Sequence, residues 1–185
     1  MFRAARRHNP SSAWRKINGA IDMRVANVIR DMKAPVTLSQ ALRNGGPQSY
    51  NWHVVRDLQS QTKARLKASE PGKTWLAIKE TVRPFCHRGS YSGFTNVYER
   101  MEWEAISPTI TGGCTTPCKG RFGHPDKRRY TISVREAALL QSFPTSFRFI
   151  TDRMDAACDM IGNAVPPLYA KLAGKQLLAA LSAKN

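Results

Sequence analysis

The stretch Thr131-Ile-Ser-Val-Arg-Glu-Ala-Ala-Leu-Leu-Gln-Ser-Phe-Pro144 carries the clearest structural signal in the chain. Ser133 followed three residues later by Glu136 is a capping box, in which each side chain satisfies a free backbone N–H at the start of a helix. Apolar residues at helical spacing follow, and Phe143-Pro144 ends the pattern. The sequence therefore predicts a short helix that begins at Val134.

Further elements are predicted on both sides of this segment. A last helix is expected from about Pro166 to Leu181, since proline suits a first helical turn and leucines supply an apolar face. Upstream, hydrophobic spacing and turn residues predict helices over 17–32, 37–42 and 52–68, a short helix or strand over 75–81, and a strand over 106–110. The chain is thus expected to mix helices with short strands.

The charge of the chain indicates a polyanionic partner. Its 185 residues include 29 Lys and Arg against 13 Asp and Glu, a net charge of +16, and residues 1–100 hold 18 of these cations but only 6 of the anions. Nucleic acid is the leading candidate. No apolar run reaches the roughly 18 residues of a membrane span, and the basic start lacks the apolar stretch of a secretory signal. We therefore expect a cytoplasmic, nucleoid-associated protein.

Four pieces of the sequence, in order, resemble the C-terminal part of DNA cytosine-5 methyltransferases. Ser107-Pro-Thr-Ile-Thr-Gly-Gly113 and Gly120-Arg-Phe-Gly-His-Pro125 resemble the family's approach to its ninth motif. Residues 129–144 resemble the ninth motif itself, and Met160-Ile-Gly-Asn-Ala-Val-Pro-Pro-Leu168 resembles the tenth. These two are called the motif IX and motif X segments below. The resemblance is strong over 94–181 and weak over 1–93.

The resemblance implies an α+β fold with three parts. Residues 1–93 would form a basic helical segment, 94–130 the loops and short strands of target recognition, and 131–185 the helices of motifs IX and X. The first part leads into a small mixed target-recognition domain, and the second part supplies its loops and strands. The C-terminal helices would complete an α/β catalytic domain that binds S-adenosylmethionine.

The family's chemistry needs parts that this sequence lacks. A Cys thiolate adds to a flipped cytosine before S-adenosylmethionine methylates C5. The Gly-rich turn, the Glu-Asn-Val segment and the Gln-Arg-x-Arg strand are absent, and Pro117-Cys118 lies in the wrong place for the nucleophile. No catalytic residue is assigned. The resemblance predicts a C-terminal portion or split subunit, inactive alone, that acts on double-stranded DNA with an N-terminal catalytic partner.

Two other hypotheses stay open at this point. One is a non-catalytic DNA-binding remnant of such an enzyme, and the other is an unrelated basic RNA-binding protein. Cys114-x3-Cys118 with His124 also raises a zinc question, but the spacing is uncommon and no metal site is assigned.

The resemblance also assigns candidate site residues. The cofactor candidates lie at the start of the last helix, where free N–H groups meet polar ligand atoms; they are Gly162, Asn163, Ala164 and Val165. Asn163 is the best contact, although capping the helix would explain it equally well. The DNA candidates, mainly for phosphate, are Thr111, Gly112, Gly113, Lys119, Arg121, Lys127, Arg128 and Arg129, with Arg83, His87, Arg88, Tyr91 and Arg100 weaker. Ser133, Arg135 and Glu136 are expected to be structural.

Overall fold

The computed structural model describes residues 16–17, 20–90 and 93–183. In chain order the elements are β1 (Lys16–Ile17), β2 (Ala20–Ile21), α1 (Val25–Ile29), β3 (Val36–Thr37), α2 (Leu38–Arg43), β4 (Val54–Val55), α3 (Ser60–Ala68), α4 (Val134–Leu140), α5 (Met154–Gly162) and α6 (Pro167–Ser182). Strands β1 and β2 pair antiparallel, whereas β3 and β4 pair in parallel with Val36 opposite Val54. The described residues thus form a small mixed unit of helices and short strands.

Helix α4, in the motif IX segment, is the centre of the core. Ser133 Oγ accepts the N–H of Glu136 at 3.1 Å, and the Glu136 carboxylate accepts the N–H of Ser133 at 2.8 Å, so the predicted capping box is confirmed. All seven residues of α4 are buried. The helix packs against α1, α5 and β4, and its charged residues Arg135 and Glu136 are buried together with the apolar ones.

The middle of the chain differs from its prediction. The strand expected over 106–110 is wrong: only Ile106 pairs, in an isolated bridge with Arg24, because Pro108 has no N–H to donate to a ladder. Single bridges join Arg100 to Pro71 and to Gly123 instead. These loops lie side by side without forming a regular sheet. A second, smaller core of Trp75, Ile78, Val97 and Tyr98 packs beside them.

Two upstream helix predictions also need correction. Residues 17–32 contain the last residue of β1 and the whole of β2, and the helix there is limited to α1. Residues 52–68 contain β4 before α3 begins at Ser60, since the β-branched pair Val54–Val55 joins β3. The helix over 37–42 is confirmed as α2, which Thr37 caps through Gln40. The segment 75–81 forms two short 3-10 turns.

The two C-terminal helices differ in their packing. Helix α5 was not predicted, yet Met154, Ala157, Cys158 and Ile161 are buried at helical spacing. The predicted last helix is confirmed as α6, but none of its residues is buried. Within the described residues, no helix has both the length and the hydropathy that crossing a membrane requires.

Candidate DNA and cofactor surfaces

The motif X segment touches the loop after Ser107 backbone to backbone. A β-carbon added at Gly162 would lie 2.8 Å from the Cα of Gly112, and closer still to the Gly112 nitrogen and the Thr111 carbonyl carbon. At Gly112 an added β-carbon would collide with the Asp159 carboxylate of α5. The glycines therefore permit close packing of this loop on α5. This packing role was not part of the expectation that Gly112 lets the backbone come close to DNA.

The end of α4 fixes the motif X segment from the other side. Gln141 Nε2 donates to the Ala164 carbonyl at 3.1 Å, and the Leu168 N–H donates to Ser142 Oγ at 3.0 Å. Motifs IX and X are therefore joined by hydrogen bonds of the two side chains that directly follow α4. This contact sets the path of the chain between α5 and α6.

The expected role of Asn163 as a cap of the last helix is wrong. Asn163 is the C-cap of α5, and its N–H donates to the Asp159 carbonyl at 3.0 Å. Helix α6 begins with Pro166 as N-cap and Pro167 as first residue, neither of which has an N–H. Because Leu168 donates to Ser142, the start of α6 offers fewer free N–H groups than expected. The exposed side chains of Asn163 and Val165 remain available.

Arg135 braces the fold from within. Its Nε donates to the Asn51 carbonyl at 2.8 Å and its Nη2 to the Phe147 carbonyl at 2.9 Å, while the guanidinium lies over the Phe149 ring. Burial lowers the pKa of Arg135 to about 10, so it stays charged near neutral pH. The side chain thus holds the left-handed turn at Asn51–Trp52 against the segment after α4.

The DNA candidate Arg129 lies inside an ion pair. Its Nη2 is 2.5 Å from Glu136 Oε1, and only 12% of its side chain is exposed. His124 Nε2 lies 3.9 Å from the same oxygen. Even so, burial first, and the nearby Arg129 second, lower the pKa of His124 to about 3, so the ring is neutral. Glu136 therefore serves both the helix cap and Arg129.

Arg100, a weaker DNA candidate, is fully buried, so the expectation that its side chain contacts DNA is wrong. Its guanidinium donates to the carbonyls of Leu66 at 2.7 Å, His124 at 2.6 Å and Arg129 at 2.8 Å. Arginine suits this position because its planar donors reach several acceptors at once. Arg100 thus fixes the backbone just before the basic loop, defined here as residues 126–129, and at its last residue.

The other weak candidates support the smaller core. Arg83 donates to the Ile78 carbonyl at 2.7 Å and lies over the Trp75 ring, and His87 stacks on Trp75 with ring centroids 4.6 Å apart. Arg88 donates to the Thr81 carbonyl at 3.2 Å. Tyr91 lies outside the described residues.

Four DNA candidates remain at the surface as cations. Lys119 and Arg121 are exposed, the latter 3.7 Å from Glu99. In the basic loop, Lys127 pairs with Glu70, and Arg128 pairs with Asp126 at 2.8 Å while its side chain is 90% exposed. The loop borders two cavities, of about 880 and 280 Å³. Their walls add three cations that the sequence did not single out: Arg30, Arg56 and Lys63.

The cysteines have other neighbours than the zinc hypothesis considered. The neighbouring Cys158 thiol and burial raise the pKa of the Cys114 thiol, whereas Cys118 is exposed. In the part of the chain that the structure describes, no three Cys, His, Asp or Glu side chains gather as a metal would require.

The fold and its joined motifs agree with the comparisons. The model of the C-5 cytosine-specific DNA methylase family matches residues 8–179, and the chain belongs to this family. The match includes much of the first half, where the resemblance read from the sequence is weak.

Three relatives illustrate the likeness. The type II methylase M.HgiDII of Herpetosiphon aurantiacus is 39% identical over 129 residues, which are 68% of this chain and 36% of the relative. The type II methyltransferase M1.BsuMI of Bacillus subtilis is 45% identical over 70% of this chain and 29% of the relative. DNA (cytosine-5)-methyltransferase 1 of Mus musculus is 34% identical over 69% and 8%. The chain thus spans about a third or less of these relatives.

Proposed function

We propose that this chain is the target-recognition portion of a DNA (cytosine-5) methyltransferase and that it also closes the cofactor site. Methyl transfer then requires a second part, on another polypeptide or another segment, that carries the nucleophilic Cys and the Gly-rich turn. The observation that carries the proposal is the bare face of α6. Tyr169, Leu172, Leu177, Leu178 and Leu181 are each more than half exposed.

A helix with this surface needs a partner. Most helical stability in proteins comes from packing of the apolar face, and large exposed apolar patches mark interaction sites. Since the relatives are about three times longer than the matched region, the missing two thirds of such an enzyme supply the natural cover. We therefore assign the α6 face to docking against the α/β catalytic part.

The cofactor assignment follows from the same junction. Asn163 and Val165 are exposed between α5 and α6, beside the bare α6 face. An amide side chain and a short apolar side chain fit one edge of a shared site, since Asn can both donate and accept hydrogen bonds. S-adenosylmethionine, when bound, supplies the methyl group. The residues of this chain would contact it and exclude water from that edge.

The basic loop and its flanking cations are assigned to the DNA backbone. Exposed Lys and Arg side chains bind phosphate and make affinity depend steeply on salt. The same surface would also serve a non-catalytic DNA-binding remnant. That alternative predicts salt-dependent DNA binding without any gain of methyl transfer.

The test measures transfer of a radiolabelled methyl group from S-adenosylmethionine to DNA. The purified chain is assayed alone and together with the part of the Bacillus subtilis relative that it does not match. We expect activity only from the mixture, and the double variant Leu177→Gln/Leu181→Gln should abolish it. Lys175→Gln, on the same helix, is the matched control and should leave it intact. Activity of the chain alone would refute the proposal, whereas DNA binding without complementation would favour the remnant.

A further inference from the structure

Helix α4 ends in a backbone conformation that serine rarely adopts. Gln141 is the C-cap, and the next residue, Ser142, has a φ of 65°, in the left-handed region. The Ser142 N–H donates to the Leu139 carbonyl at 2.9 Å, and the N–H of Phe143 donates to the Ala138 carbonyl at 2.9 Å. These two bonds form a Schellman motif, in which glycine is the usual residue at the left-handed position. A serine here therefore carries a conformational cost that glycine would avoid.

The Ser142 side chain makes a contact that glycine could not make. Its Oγ accepts the N–H of Leu168 at 3.0 Å, from a residue 26 positions further along the chain. Pro166, the N-cap of α6, makes no side-chain cap, and Pro167, the first helical residue, has no N–H. The Leu168 N–H is thus the first donor of the helix, and Ser142 caps it from another part of the chain.

The neighbouring Gln141 holds the motif X segment at an earlier point. Its Nε2 donates to the Ala164 carbonyl at 3.1 Å. Asn163 and Val165, on either side of Ala164, are exposed. The two residues that directly follow α4 therefore fix the motif X segment at Ala164 and at Leu168, and they leave the candidate cofactor contacts open to a ligand.

We propose that Ser142 is a positioning residue for the cofactor edge of the motif X segment. Its hydroxyl fixes where α6 begins, and the start of α6 sets the positions of Asn163 and Val165. Strained backbone persists only where its surroundings enforce it, and it clusters near functional sites. The inference rests on the proposed function, because the assignment of Asn163 and Val165 to S-adenosylmethionine belongs to that proposal.

Two substitutions at Ser142 separate the hydroxyl from the backbone strain. Ser142→Gly removes the hydroxyl and relieves the strain. Ser142→Thr keeps the hydroxyl but places a β-branched residue in left-handed backbone, which is less favourable than serine. The matched control is Ser182→Gly, the same change at the last residue of α6, where the hydroxyl donates to the Leu178 carbonyl at 3.0 Å.

The experiment combines readouts with and without methyl transfer. The Tm and the hydrogen exchange of the Leu168 amide, followed by NMR, are measured on the full chain alone. The kcat and the KM for S-adenosylmethionine are measured on its mixture with the unmatched part of the Bacillus subtilis relative. The two sets of measurements separate the contact at Leu168 from its effect on the cofactor site.

We expect stability and KM to respond in opposite ways to the two substitutions. Ser142→Gly should keep its Tm within about 4 °C of the wild type, because relief of strain offsets the lost hydrogen bond. Its Leu168 amide should exchange several times faster, and its KM should rise about 3- to 10-fold with little change in kcat. Ser142→Thr should lower the Tm but keep the KM and the Leu168 protection of the wild type. Ser182→Gly should leave the KM and the Leu168 exchange unchanged.

Other outcomes would overturn the inference or the proposed function. If KM follows Tm through the three variants, Ser142 acts only through overall stability and the inference is refuted. Faster Leu168 exchange with an unchanged KM in Ser142→Gly also refutes it, since the contact then does not reach the cofactor edge. An inactive wild-type mixture overturns the proposed function, while the Leu168 exchange still decides whether Ser142 fixes the start of α6. If Ser142→Thr does not fold, the KM of Ser142→Gly decides alone.

Discussion

Replacing Gly162 by alanine tests the junction of the motif X segment with the loop at Gly112. The added β-carbon would lie within 2.8 Å of the Gly112 Cα and closer to two other backbone atoms, whereas ordinary contacts begin near 3.4 Å. Since no side-chain rotation can relieve a backbone collision, α5 or the loop must shift. Overpacking of this kind costs about 1–3 kcal/mol or more, and the better helix propensity of alanine returns at most about 1. We expect a net loss of about 2 kcal/mol.

Thermal unfolding followed by tryptophan fluorescence measures this loss. In a chain of this size 1 kcal/mol corresponds to about 2–4 °C, so the Tm of Gly162→Ala should fall by about 4–8 °C. Gly174→Ala is the control, because nothing lies within 4 Å of the added β-carbon in the middle of α6. It should gain about 0.5–1 kcal/mol. If Gly162→Ala is as stable as the wild type, the close approach described here is incorrect.

Three further predictions concern charge and exposed surface. Arg100→Met should cost at least about 3 kcal/mol of unfolding free energy, since the backbone carbonyls that Arg100 contacts lose charged donors, whereas the exposed Arg128→Met should stay within about 0.5. Burial lowers the pKa of His124 from 6.5 to about 3, so the unfolded chain binds a proton that the native one does not. Its contribution is complete above pH 6.5, and about 2–3 kcal/mol should be lost between pH 7 and 4.5. Leu177→Gln/Leu181→Gln should reduce self-association of the isolated chain, measured by sedimentation, without lowering its Tm.

Each of these has an outcome that contradicts it. Equal urea midpoints for Arg100→Met and Arg128→Met would show that the buried hydrogen bonds contribute little. The pH effect is assigned to His124 only if His124→Gln flattens the stability profile between pH 6.5 and 4.5. A monodisperse wild-type monomer would remove the case for an uncovered α6 face.

The sequence predicted best what local signals determine. Ser133 and Glu136 form a cap because four consecutive residues suffice for a capping box. Helix α6 follows from prolines and leucines within one segment in the same way. Helix α5 was missed although Met154, Ala157, Cys158 and Ile161 have the spacing of a buried face. The periodic signal of α5 is therefore present in the sequence itself.

The sequence could not predict what depends on distant partners. Arg100 and Arg128 have the same side chain, yet one is buried among carbonyls from residues 24 to 34 positions away and the other is 90% exposed. Arg129 differs from Arg100 in that its partner Glu136 lies only seven residues further along the chain. Assigning Arg100 and Arg129 to DNA treats net charge as if it described a surface. Burial divides these arginines into those that hold the loop and those that face solvent.

That division bears on how the basic loop would meet a phosphate backbone. Ordering a flexible loop on binding costs conformational free energy, and a loop fixed beforehand avoids that cost. Arg100 holds the carbonyl of His124, just before the loop, and that of Arg129, its last residue, and the Arg129 side chain is anchored on Glu136. Lys127 and Arg128 are therefore presented from a backbone that is already in place. On the proposed function, the buried arginines position the basic loop and do not themselves touch the DNA.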